Sequence, residues 1–187
     1  MENKEINISN CIREIKQEFF AFRNGVIADR LRSAGDPHAI VFGLNLPQVV
    51  EISSRFPQNS QLAQTLWENV TVRESRILAP MLFPKDEFTE DLAKQWIESI
   101  ENQEIADVLC HRLLRYTAFA ESLCRSFADN ERALVRYLAL RLAMNLLVLR
   151  KPVDRHFLSK FATGEIGSNN AVTKQLAQSI IDEINEG

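Results

Sequence analysis

At 187 residues, 45% of them hydrophobic, the chain suits one domain with a sizeable core, and its 25% of charged residues exclude general disorder. Three cysteines (Cys11, Cys110, Cys124) without C-x-x-C spacing exclude a disulfide framework and point to reduced thiols in a cytoplasmic protein. The net charge of −3 conceals segregation, with 11 Lys/Arg against 17 Asp/Glu over 1–110, 10 against 4 over 111–160, and 1 against 4 over 161–187.

Helical periodicity recurs along the whole chain and strict alternation is nearly absent. The first predicted helix covers 10–33 and closes at Gly35-Asp36-Pro37. A second covers 47–56 and ends at Pro57-Gln58-Asn59, after which Ser60 is placed to cap a helix over 60–69 carrying Leu62, Leu66 and Trp67. Thr71 and Glu74 stand three apart, the spacing of a capping box, before the apolar stripe Ile77, Leu78, Met81 and Leu82 of a helix over 71–83. Further helices follow near 87–100, 103–115, 117–128, 131–150, 154–162 and 170–184, about ten in all. The most apolar run, 138–149, is interrupted by Arg141 and Asn145, so no membrane helix is predicted, and the N-terminus lacks the apolar run of a signal peptide.

Three of these helices are alike. "RESRILAPML" (73–82), "IADVLCHRLL" (105–114) and "LVRYLALRLA" (134–143) each present a dense apolar face and recur about every 30 residues, somewhat less than the ~40–47 of HEAT units. With short, punctuated connectors, this favours an all-α, right-handed α–α superhelix of HEAT/ARM-like repeats forming a single domain over 1–187.

The stretches "FGLNLPQVVEIS" (42–53), "LAQTLWENVTVRESRILAPML" (62–82) and "ENQEIADVLC" (101–110) occur in the order and spacing of the HEAT-like repeat, AlkD-type DNA glycosylases of DNA alkylation repair. The chain resembles that family over 15–150, through Gly43 with Pro47, Leu66-Trp67, and Glu74 with Leu78-Ala79. The resemblance implies a concave face that cradles duplex DNA. It also implies excision of N3- and N7-alkylated purines, aided by a carboxylate near the sugar that stabilises oxocarbenium charge and by aromatic rings against the lesion. Carried over, the carboxylate is Asp107, which ends Asn102-Gln103-Glu104-Ile105-Ala106-Asp107. The family tryptophan is replaced by Gln103, the family arginine by Tyr137 with Arg136 beside it, and a C-terminal tryptophan is missing, because Trp67 and Trp96 both lie too early.

Asp107 has a structural alternative, a local pair with His111 or Arg112. On a helical wheel Arg132, Arg136, Ala139, Ala143 and Arg150 share one edge of the 131–150 helix, opposite Leu134, Leu138, Leu142 and Leu149. Arg112 and Arg115 extend that surface, and together these five arginines are the candidate nucleic-acid contacts, with ordinary helix-solvating charge as the alternative. His38, His111 and His156 are scattered, and no metal site or cofactor is predicted. The favoured function is a non-catalytic module that docks duplex DNA, or another protein, away from membranes. The alternative is a DNA N-glycosylase with Asp107 as its catalytic carboxylate.

Overall fold

The computed structural model describes residues 7–186. Among the described residues, eleven α-helices and two short 3-10 helices (Lys85–Glu87 and Leu114–Tyr116) account for the regular structure, and the only β-type pairing is an isolated bridge between Ile40 and Val72. The all-α expectation holds. The chain divides into two compact units, one ending at Phe88 and the other beginning at Thr89.

The first unit contains α1 (Ile8–Ala21), α2 (Gly25–Ser33), α3 (Leu46–Ser53), α4 (Ser60–Glu68) and α5 (Arg73–Leu82). The single helix predicted over 10–33 is two, because Asn24 has an extended backbone and its side chain accepts from the Ile27 amide, starting α2 afresh. Asparagine plays the same part at Asn7, Asn45 and Asn59. The cap of α4 is therefore Asn59, with Ser60 already the first helical residue. Asn45 and Gln48 form a reciprocal capping box, and Pro47 occupies the first turn of α3, where its missing N–H costs nothing.

The capping box assigned to Thr71 and Glu74 does not form. Val72 precedes α5 without a side-chain cap, and Thr71 Oγ1 donates to Asn69 instead. Glu74 is fully buried. Its Oε1 accepts from the amides of Gly43 (3.0 Å) and Leu44 (3.3 Å), its Oε2 from that of Phe42 (3.1 Å), and Arg73 Nη1 donates to it at 2.8 Å. Arg73 also donates to Leu44 O and lies 4.0 Å from Asp36, whose other oxygen meets His38 Nδ1 at 2.7 Å. The loop at 36–44 is thus pinned to the start of α5 by a buried polar network. Gly43 is required there: its φ is +80°, and a Cβ would come within 2.2 Å of Asn24 O.

Trp67 is buried as predicted, in the paired helices α4 and α5. Arg76, itself buried, lies with its guanidinium 3.6 Å from the indole centroid and donates to Trp67 O at 2.7 Å. That stacking lets a charged side chain fill core volume.

The second unit contains α6 (Glu90–Glu98), α7 (Gln103–Arg112), α8 (Ala120–Phe127), α9 (Ala133–Val148), α10 (Arg155–Glu165) and α11 (Ala171–Glu186). Helix α9 is its axis and packs against the other five. A helix apolar all round must be surrounded, and Val135, Leu138, Ala139, Leu140, Leu142, Ala143, Leu146 and Leu147 are all buried. Three wheel assignments are thereby corrected: Ala139 and Ala143 belong to the core, and Leu149 is 38% exposed. The wheel fails at Leu149 because the helix has ended, with Arg150 at φ +51° and the amides of Arg150 and Lys151 donating to Leu147 O and Leu146 O. This is a Schellman-type stop with arginine where glycine is usual.

Candidate nucleic-acid interface

Asp107 lies near the middle of α7, which Asn102 caps by accepting from the Ile105 amide. The predicted local pairing with His111 or Arg112 is not what its carboxylate does. It reaches to α9, where Oδ1 accepts from the Tyr137 hydroxyl and from Arg141 Nε, each at 2.7 Å. Arg141 also donates to the Tyr137 oxygen at 2.9 Å, closing a three-membered ring. Tyr137 and Arg141 stand four residues apart and so project from one face of α9. The Tyr137 ring is buried, whereas the side chains of Arg141 and Asp107 keep 31% and 41% exposure. Burial, and then the Asp107 carboxylate, push the Tyr137 phenol up to about 12, so it stays a donor at neutral pH. Among the described residues nothing donates to the second oxygen, Oδ2. The position preceding Asp107 by one turn holds Gln103, whose amide donates to Asn170 at 3.4 Å.

Residue 137 therefore carries no guanidinium, but Arg141, one turn later, brings one to the carboxylate. In the sequence Arg141 reads as an interruption of an apolar run, and its i, i+4 relation to Tyr137 is the signal that could have marked it.

The five candidate arginines fall into four situations. Arg132 precedes α9, and its guanidinium donates to Glu98 O and, at 2.7 Å, to Ile100 O, satisfying carbonyls at the end of α6. Arg136 Nε pairs with Glu165 at 2.6 Å while its Nη1 donates to Asn130 O and Glu131 O. Arg150 is exposed, just past the end of α9. Arg112 and Arg115, at and just beyond the end of α7, make no ion pair with any carboxylate among the described residues, and the Nε of each is buried without a hydrogen-bond partner.

Among the described residues no His, Cys, Asp and Glu side chains cluster to hold a metal ion, and no helix is long and apolar enough to cross a membrane. The family model described as "DNA alkylation repair enzyme" matches residues 15–182. A solved structure, described as "A new family of proteins related to the HEAT-like repeat DNA glycosylases with affinity for branched DNA structures", superposes with a TM-score of 0.79. The alignment covers 92% of this chain and 74% of that one at 16% identity, a likeness that establishes the HEAT-like helical fold. No curated protein matches the sequence.

Proposed function

The chain belongs to the DNA alkylation repair enzyme family, and on that premise we propose that it is a DNA-binding module without base-excision activity. The observation that carries this is the condition of Asp107. Its Oδ1 is engaged by Tyr137 and Arg141, so a guanidinium already sits against the charge that would have to stabilise an oxocarbenium ion. No ring stands at position 103 to stack on a cationic base, and each such contact contributes ~0.5–2 kcal/mol. Since about 1.4 kcal/mol is tenfold in rate, two absent rings and a displaced arginine together reduce excision by ~10²–10⁴-fold. DNA binding is supported by the family and by the excess of Lys/Arg over 111–160. The ligand is duplex DNA or, as described for the superposed structure, branched DNA.

The glycosylase reading keeps one supporting observation, an Asp107 carboxylate that is 41% exposed and whose Oδ2 accepts from no donor among the described residues. One experiment separates the two. Methylated duplex DNA is incubated with the protein and with Asp107→Asn, and released 7-methylguanine and 3-methyladenine are measured beside a gel-shift titration. We expect a salt-sensitive shift and no release above background. Release that disappears in Asp107→Asn establishes the enzyme, and an absent shift at low salt removes the binding reading.

A further inference from the structure

Where α7 ends, five side chains form a cluster that internal contacts leave incomplete. Arg115 Nη1 lies 2.9 Å from His111 Nδ1, and its Nη2 donates to the Tyr116 hydroxyl at 2.6 Å, with the guanidinium 4.8 Å from the tyrosine ring. Arg112 also lies near enough to act on the His111 imidazole, and Asn145 of α9 hydrogen-bonds with it. Three nitrogens of this group, Arg112 Nε, Arg115 Nε and Asn145 Nδ2, are buried and have no acceptor among the described residues. Among those residues no carboxylate is paired to either of the two positive charges here.

The partial charge at the C-terminus of α7 accounts for cations in its last turn. It does not account for buried donors left unpaired, since native proteins satisfy nearly all such groups and each orphan costs stability. An acceptor with several oxygens and a negative charge would complete the cluster. Partial burial and then the two arginines hold the His111 imidazole below its ordinary value, leaving it neutral so that Nδ1 can accept from Arg115. Arg115 is thereby held in place before any ligand arrives.

We propose that His111, Arg112, Arg115 and Asn145 form a binding site for a single phosphate group, occupied by one phosphodiester of a nucleic-acid backbone. The occupant rests on the DNA-binding reading above; the anion site itself rests on the unpaired donors. Arg112 and Arg115 would supply charge, and Asn145 a neutral donor from the facing helix. Such a contact is blind to base identity and contributes to affinity through counterion release.

The test compares the protein with R112Q/R115Q, and with R125Q as a control in which an exposed arginine engaged by Glu121 and Asp154 is removed. Affinity for a 20-base-pair duplex is measured from 50 to 200 mM salt. The slope of log K against log salt should fall by about 1 in the double variant, the value of one phosphate contact, and stay unchanged in the control. If the parent binds duplex and the double variant keeps the full slope, the site is wrong while the DNA reading survives. Thermal melting of the parent in inorganic phosphate against chloride, at matched ionic strength, supplies a DNA-free readout. Because phosphate also stabilises proteins by exclusion from their surface at high concentration, the rise that supports the anion site is one that saturates at low-millimolar phosphate, as binding linkage requires, and it does so even where duplex does not bind, or where the double variant fails to fold. An unchanged slope where duplex binds, or no saturable rise where it does not, overturns it.

Discussion

Only two tyrosines are present, Tyr116 and Tyr137, so the ring around Asp107 can be interrogated by alkaline titration of phenolate absorbance near 295 nm. In Tyr137→Phe the remaining signal belongs to Tyr116, and the difference between the two curves isolates Tyr137. With its phenol raised from 10.0 to about 12, chiefly by burial and then by Asp107, Tyr137 should be only about 10% ionised at pH 11, against about 90% for an unperturbed phenol. The same shift carries a stability consequence whose sign is fixed by linkage. The folded state holds this proton more tightly than the unfolded chain, so its contribution is complete below pH 10 and is lost as pH rises through about 12. Between pH 8 and pH 11 the parent should lose about 1.4 kcal/mol more than Tyr137→Phe in urea denaturation, because the lysines, arginines and thiols common to both cancel in the comparison. A difference titration centred near pH 10 in the folded protein would refute the proposed engagement of the hydroxyl. Parallel pH profiles for parent and variant would refute it independently.

Two further changes probe features that decide the local fold. Glu74→Ala strands the amides of Phe42, Gly43 and Leu44 and takes from the buried Arg73 the nearer of its two carboxylates, so denaturant unfolding should show a loss of ~3–5 kcal/mol; a loss below about 1 kcal/mol would mean that this network does not hold the loop. Arg150→Gly relieves a left-handed conformation at the stop of α9 and should leave Tm unchanged or raise it by the equivalent of up to about 1 kcal/mol; a fall in Tm would show that the arginine side chain stabilises the turn.

The features legible in the sequence were those that depend on near neighbours. Apolar spacing placed Trp67, Leu62, Leu66, Ile77 and Leu82 in the core, and all are buried. The asparagines that start helices are equally local signals, but the expectations passed over them: Asn24 followed by Gly25 divides the single helix expected over 10–33, and Asn59, not the expected Ser60, caps α4. Glu74 could not be read in this way. Its spacing from Thr71 satisfies a capping box, but the amides it accepts from lie about thirty residues upstream, and only folding brings them together. The wheel drawn for 131–150 failed for another reason: it assumed one solvated side, whereas α9 is packed on all sides of its apolar length, so the small residues between the arginines are core.

The arrangement at Asp107 bears on how any result at that position is interpreted. A charged residue on a surrounded helix needs a partner, and Arg141 finds it thirty-four residues back, in Asp107. The carboxylate therefore ties α7 to α9 whether or not it ever meets a sugar, and Asp107→Asn perturbs that tie together with any chemistry. The amide that replaces it can still accept from Tyr137, but it no longer carries a charge opposite Arg141. Tyr137→Phe separates the two roles. It removes one donor from Oδ1 and one acceptor from Arg141 while leaving the negative charge and Oδ2 intact. If Asp107 serves only to join the helices, both variants lower stability and neither changes DNA chemistry. If it serves excision, Asp107→Asn alone abolishes release, and Tyr137→Phe, by relaxing one of two restraints on the carboxylate, leaves release intact or raises it. The order of the two variants in an excision assay, set beside their melting temperatures, therefore distinguishes a structural carboxylate from a catalytic one.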